Sequence, residues 1–382
     1  MRVTRRALIS GIALSAALMV SACSPPSDSS STASSAAGGG SAAAGDAKTA
    51  KSAKDLGGME ALVAAAKKEG QLNVIALPPD WANYGEIIKG FTAKYGITVN
   101  SAQPDGSSQD EINAVKSLKG TDRAPDVLDI GMAVALANTS LFAPYQVEKW
   151  SEIADAQKEA TGLWVQDYGG YMSIGYDSAK VPAPTSVADL LKAEYKGKVA
   201  LNGDPTQANA ALNGVLMAAV ANGGSLDDIS KGVDFFKDLK AKGNFNKVQA
   251  STATVKNGTT PVVFDWDYLQ AGNVKNVPTW KVYLPENATL GGYYAQAINA
   301  DAPHPAAARL WEEYLYSDEG QNLWLKGGAR PVRMDAMTKA GTIDAAAAAA
   351  LPAVSGTPQF PTQDQLTKAK TVLATSWAKA IS

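Results

Sequence analysis

Residues 59–100 read MEALVAAAKKEGQLNVIALPPDWANYGEIIKGFTAKYGITVN. Met59–Glu69 has a helical pattern and meets a stop signal at Gly70. Leu72–Leu77 is a strand of the buried type. Asn83–Tyr95 sets Tyr84, Ile87, Ile88, Phe91 and Tyr95 on one helical face. Gly96 ends that helix, and Ile97–Asn100 reads as the next strand. Glu111–Leu118 continues as helix and Asp126–Ile130 (DVLDI) as strand. Strand and helix in alternation predict an open α/β layer with a largely parallel sheet.

A second unit follows. Strands are expected at Tyr171–Tyr176, Gly197–Leu201, Pro261–Phe264 and Val282–Leu284, and helices at Ser186–Leu191, 206–221 and Leu226–Lys242. Leu290–Asn299 is a strand that returns to the first unit. Residues 305–326 are helical, with Leu310, Trp311, Tyr314 and Leu315 inward. The tail 363–381 is an amphipathic helix with Leu366, Ala369, Leu373 and Trp377 on one stripe.

The other end of the chain carries an address. Residues 2–6 (RVTRR) are basic and residues 7–22 (ALISGIALSAALMVSA) are apolar and small. That is the form of a secretory leader, and it is shorter than the roughly 20 residues a membrane span needs. Val20-Ser21-Ala22-Cys23 resembles the lipobox of bacterial lipoproteins, which implies lipidation of Cys23. The competing readings are cleavage without lipidation and a buried thiol. Thr4-Arg5-Arg6 also admits a twin-arginine export signal. Residues 24–52 hold no aromatic and no large aliphatic residue, so they are expected to form a disordered tether.

Composition narrows the chemistry. The chain has 382 residues, 46% of them hydrophobic and 19% charged, with a net charge of −2. It offers no electrostatic footprint for nucleic acid. One cysteine excludes a disulfide and any Cys-based metal site. One histidine, His304, leaves no Ser/His/Asp set and is expected in a surface turn before a helix. No hydrolase motif stands in a fitting context. The expectation is therefore a binding protein, not an enzyme, with no cofactor and no resident metal. An anchored hydrolase is the alternative from another class; the paired acids Asp265 and Asp267 lack an opposing partner for glycoside cleavage.

Four local patterns carry a family resemblance. Lys67-Lys68-Glu69-Gly70 closes the opening helix. Phe91-Thr92-Ala93-Lys94-Tyr95-Gly96-Ile97 fits a recurring F-x-x-x-x-G-I/V step, and Ala124-Pro125-Asp126-Val127 fits A-P-D-V. Tyr314-Leu315-Tyr316-Ser317-Asp318-Glu319-Gly320-Gln321 fits Y-L-x-S-x-E-G-Q. In this order the chain resembles extracellular solute-binding proteins of ABC importers, with the type II periplasmic-binding-protein fold, over about residues 57–382. The resemblance implies two lobes, each a mixed and mostly parallel sheet flanked by helices, joined by crossover strands near 166–172 and 290–296. The implied division is a leader over 1–22, a lipid-anchored tether over 23–56, a first lobe over 57–168 and 293–328, and a second over 169–292 and 329–382. It also implies an exported, monomeric receptor held at the outer face of the cell membrane (or periplasmic), with a small-molecule solute and a membrane permease as partners.

Within that family the chain most resembles the spermidine/putrescine-binding branch. Trp81-Ala82-Asn83-Tyr84 fits W-x-x-Y, which implies that Trp81 and Tyr84 line a ligand. Asp204-Pro205-Thr206-Gln207 stands at D-x-x-E, Trp266 and Asp267 follow the last strand of the second lobe, and Tyr293-Tyr294-Ala295-Gln296 stands at F-W-x-D. The candidate ligand residues are thus Trp81, Tyr84, Asp204, Gln207, Trp266, Asp267, Tyr294 and Gln296. Gln207 and Gln296 each replace an acid and remove a partner for an ammonium group. Gly131-Met132-Ala133 stands where a tyrosine is expected. A polyamine-like or other small amine is the first reading. Alternatives are an anionic or zwitterionic solute (an aminophosphonate or a carboxylate) and ferric iron. Asp204, Pro205 and Gln207 also fit a plain capping box for the helix 206–221, and Arg330 and Arg333 could grip an anion.

Overall fold

The computed structural model describes residues 45–382. Cys23, the leader and most of the expected tether lie outside the described residues. The packed chain reaches further back than residue 57. Ala50, Ala53 and Leu56 are buried, because Arg309 draws this segment in: its Nε donates to Ala50 O (2.8 Å) and its Nη2 to Lys48 O (3.0 Å).

The first helices and strands follow the sequence closely. Helix α1 (Met59–Glu69) ends at Gly70, which takes the left-handed conformation with φ 73°. Strand β1 (Gln71–Ile75) runs parallel to β2 (Thr98–Ala102) across helix α2 (Tyr84–Tyr95). Phe91, Gly96 and Ile97 explain the F-x-x-x-x-G-I step: two buried apolar residues flank a left-handed glycine cap. Helix α3 (Ser108–Ser117) leads to β3 (Val127–Gly131), α4 (Met132–Leu136) and the short β4 (Phe142–Ala143). Asp126 ties β1 to the start of β3. It accepts from Asn73 N (2.6 Å) through its carboxylate and donates its own N–H to Asn73 O (2.9 Å).

A long strand, β5 (Val165–Asp177), then crosses the molecule. The rest of the chain supplies β6 (Val199–Leu201), α5 (Asn209–Ala221), α6 (Ser230–Ala241), α7 (Thr252–Lys256), β7 (Val262–Trp266), α8 (Asp267–Asn276), β8 (Trp280–Tyr283) and β9 (Gly291–Asn299). It closes with α9 (Pro305–Leu315), α10 (Asp318–Lys326), β10 (Arg330–Pro331), α11 (Met334–Ala340), α12 (Ala345–Ala349) and α13 (Gln363–Ala380). The main sheet runs β3-β9-β5-β7-β6. β9 pairs with β3 on one side and with Val165–Tyr171 of β5 on the other, while Met172–Tyr176 of β5 pairs with β7.

The α/β class with helices on mixed sheets is what the chain forms. The pairing is less parallel than strand–helix alternation predicts. Among the described residues only β1–β2 and β6–β7 are parallel, because β5 and β9 run against every strand they meet. Their contact is close. A side chain on Gly169 would run into Gly292 O and the Tyr293 ring.

Three local expectations change. The helix expected over 305–326 is two helices, because Ser317 stops one and caps the next by accepting from Gly320 N (3.2 Å). The helix expected from residue 206 begins at Asn209. His304 is buried, not a surface turn. Its Nδ1 lies 2.8 Å from Asp126 Oδ2, and this contact raises its pKa. α13 buries Leu366, Ala369, Leu373 and Trp377 as expected, with Trp377 edge-on to Phe236 at 5.5 Å.

Candidate functional site

A cavity of about 340 Å³ opens at the C-terminal ends of the strands, where open α/β sheets bind ligands. That volume suits a small solute. One side is built by the loops after β1 and β2, the start of α3, and Asp129 on β3. The other is built by Asn202 after β6, the first turn of α5, Asp265 on β7, and α7 and α8. Tyr294 on β9 joins the lining.

The backbone is strained around this opening. Among the described residues, the non-glycine residues with positive φ are Ala76, Ala82, Asn83 and Gln103. Ala76 lines the cavity, Ala82 and Asn83 follow Trp81, and Gln103 precedes Pro104, a lining residue. Strain of this kind collects where a loop must aim side chains at a ligand. Hydrogen bonds hold it in place. Ala76 N donates to Ala102 O (3.1 Å), and Asn83 Nδ2 to Leu323 O (2.8 Å).

Charge in the cavity has one sign. Asp80, Asp105, Glu111, Asp129 and Asp265 line it, with no lysine, arginine or histidine among the lining residues. Asp80 and Asp105 are exposed, whereas Glu111, Asp129 and Asp265 are buried. Burial pushes Asp129 and Asp265 up to about 7 and Glu111 well above the usual carboxylate range. Asp265 is held on both oxygens, by Trp266 N (2.9 Å) and Asn202 Nδ2 (2.9 Å). Glu111 Oε2 accepts from Asp129 N (3.0 Å).

Aromatic rings form the wall between the two halves. Trp81 stands edge-on to Tyr294 (5.8 Å) and Tyr268 (6.2 Å). Tyr168 stacks on Tyr294 at 5.8 Å with planes 9° apart. Trp81 Nε1 donates to Tyr168 OH (2.7 Å), and Tyr168 OH donates to Asp129 Oδ2 (2.8 Å). Behind them Trp266 stacks on Tyr268 (6.4 Å). Trp266 Nε1, Tyr268 OH and Asp129 Oδ1 are buried without a hydrogen-bond partner.

The sequence candidates fall into three groups. Trp81 and Tyr294 line the cavity. Tyr84, Trp266, Asp267 and Gln296 are buried beneath it. There Gln296 Nε2 donates to Tyr84 OH (3.0 Å) and to Asp167 Oδ2 (2.8 Å), so Gln296 fills its place by joining α2 to β5. Asp204 and Gln207 are exposed and not among the lining residues. The capping box expected of them is absent. Asp204 Oδ1 accepts from Thr206 N (2.8 Å) and Thr206 Oγ1 (2.7 Å), a local turn that delays the helix to Asn209.

Arg330 and Arg333 are committed elsewhere. Arg330 Nη1 pairs with Asp267 Oδ2 (2.7 Å), and its guanidinium lies 4.6 Å from the Tyr171 ring centre. Arg333 pairs with Glu152 and Asp318 and donates to Tyr316 O (2.6 Å). Replacing Arg330 with Met should therefore lower stability by about 3 kcal/mol, because Asp267 would be left buried without its cation. The denaturant midpoint at pH 7.5 measures this, and an unchanged midpoint would refute it.

Sequence reasoning missed Glu111, Asp129, Asn202, Asn209 and Asn273 as lining residues. A signal existed for Asp129, an acid set inside the apolar run Val127–Ile130. Gly131 also has a physical reason. A side chain there would collide with Asn209, so the first residue of the stretch 131–133, where a tyrosine was expected, has no room for one.

Residues 125–356, more than half of the chain, match the family described as bacterial extracellular solute-binding protein. The chain belongs to that family, the solute-binding components of ABC transport. Membership implies export, a small-molecule ligand and a permease partner. Among solved structures it is similar to iron-bound HitA from Pseudomonas aeruginosa, with 20% identity over 81% of this chain and 99% of that one and a TM-score of 0.59. It is also similar to the ferric binding protein from Campylobacter jejuni (18% identity, 81% and 99% covered, TM-score 0.61). A third is the periplasmic binding protein AfuA from Actinobacillus pleuropneumoniae with fructose-6-phosphate bound (16% identity, 81% and 98% covered, TM-score 0.62). At these identities the likeness shows the fold. No curated protein matches the chain. Among the described residues no helix is long and apolar enough to cross a membrane.

Proposed function

We infer that this chain captures a small cationic solute, an amine, in the cavity between two lobes and delivers it to its permease while held to the membrane by lipid on Cys23. The observation that carries the ligand class is the lining itself: five carboxyl side chains and no basic residue. An anion would enter against that charge, with both candidate arginines paired to acids. A cation would meet carboxylates and the faces of Trp81 and Tyr294, and contact with an aromatic face adds about 0.5–2 kcal/mol. The lobes are residues 57–168 with 293–328, and 169–292 with 329–382. β5 and β9 serve as the crossovers about which they close.

Ferric iron has less support. Among the described residues no three His, Cys, Asp or Glu side chains converge to hold a metal ion. Burial also pushes the Tyr294 phenol up, away from the phenolate that a ferric ion takes.

A melting panel tests the ligand class. Choline, putrescine, spermidine and agmatine are expected to include at least one that raises the melting temperature, with fructose-6-phosphate, aminoethylphosphonate and ferric citrate inactive. A shift with anions alone would overturn the amine reading. Trp81→Ala should weaken the active amine roughly tenfold in calorimetric titration. Equal affinity would remove Trp81 from the site.

A further inference from the structure

Asp129 differs from the other buried carboxyls of the cavity. It is 7% exposed, it lines the cavity, and its Oδ1 has no hydrogen-bond partner. Its other oxygen accepts from Tyr168 OH (2.8 Å), which also accepts from Trp81 Nε1 (2.7 Å). A carboxylate oxygen buried without a partner is costly. The cost is relieved when a ligand supplies the donor. An ammonium group supplies both N–H donors and the opposite charge, and bonds between ionised partners are the stronger kind.

We propose that Asp129, through Oδ1, is the counter-ion for the ammonium group of the captured amine, and that the Trp81–Tyr168–Asp129 hydrogen-bond chain sets the indole beside that ammonium. The proposal rests on the amine reading above and names the group that anchors it. None of the candidates drawn from the sequence includes this residue.

Capture is then linked to protons. The carboxyls that act on Asp129 are Glu111 from α3, Asp167 from β5 and Glu312 from α9. The phenols are Tyr84 from α2, Tyr168 from β5, Tyr268 from α8, Tyr294 from β9 and Tyr316 after α9. None is a cation; hydrogen bonds from Tyr168, Tyr84 and Asp167 favour the charged form of Asp129, but burial outweighs them and holds the carboxyl at about 7. The amine enters as its ammonium ion, the carboxyl O–H bond breaks, and the proton leaves to water as the salt bridge forms. Asp129 and Asp167 share this titration, so the release belongs to the pair.

Calorimetric titration of the full chain with putrescine and with agmatine tests this at pH 5.5 and 7.5, in two buffers of different ionisation heat. Affinity should fall roughly tenfold or more from pH 7.5 to 5.5, with about one proton released per amine near pH 6.5. Asp129→Asn should weaken binding roughly thirtyfold, remove the proton release, and leave the melting temperature of the empty protein no lower. Amine binding that survives Asp129→Asn within threefold would overturn the assignment of Asp129 alone. If that variant fails to fold, the wild type still decides: affinity that does not change with pH and releases no proton overturns the proposal. No response to any amine overturns the amine reading, and this proposal with it.

Discussion

Trp266→Ala should cost about 3–5 kcal/mol of folding stability and weaken amine binding by more than tenfold. The indole is fully buried at the end of β7. It stacks on Tyr268 at 6.4 Å and meets Tyr294 edge-on at 6.3 Å. Gly292 on the crossover strand β9, beyond β5, leaves the room it fills; a side chain there would press on the indole. Removing the ring opens a cavity that Gly292 cannot fill and frees Tyr294 to turn from the ligand. Trp266 thus acts on the site through Tyr294, not by contact. Trp266→Phe separates the two effects: it should recover most of the stability, and the affinity with it, if positioning is the role. Denaturant melts and titration with the active amine measure both quantities. Full affinity in a stable Trp266→Ala protein would show that Tyr294 needs no support.

Much of the fold was legible because it rests on local rules. Gly70 and Gly96 end helices where left-handed backbone is needed, and the stripe on α13 follows from helical spacing. Site residues were legible where a motif sat on a loop beside the cavity, as with Trp81. They were misplaced where a local pattern competed with a tertiary one. Asp204 reads as a helix cap, yet the helix begins later because its first turn is packed in the core around Asn209. Asp129, Glu111 and Asp265 come from β3, α3 and β7, distant in sequence, and only the sheet order brings them to one cavity. His304 shows the same limit. Its neighbouring prolines suggest a surface turn, but Asp126, far away in the chain, holds it inside.

The empty protein should become less stable as pH rises from 5 to 8. Burial raises Asp129, Asp265 and Glu313 to about 7, and Glu111, Asp167 and Glu312 well above the ordinary range. In the unfolded chain these groups titrate near 4. The folded protein therefore binds more protons than the unfolded one above pH 4, and its stability falls as pH climbs through the folded values. His304 adds to the trend, because its raised pKa stabilises the fold below about 6.5 and that contribution fades as pH rises. The opposite sign belongs to Glu152 and Asp318, which Arg333 holds low; they are lost only in stronger acid. A rise from 3.8 to about 7 corresponds to about 4 kcal/mol for one isolated group, and coupling between neighbours keeps the total below a simple sum. The melting temperature should drop by about 5 °C or more between pH 5 and pH 8. A flat or rising profile would refute this. A bound amine should restore the part of the loss at pH 8 that comes from the carboxyls lining the cavity, and little at pH 5, because the cation offsets charge that exists only at the higher pH. A receptor built this way is least comfortable when empty at neutral pH, and that discomfort is the part of its stability that ligand capture recovers.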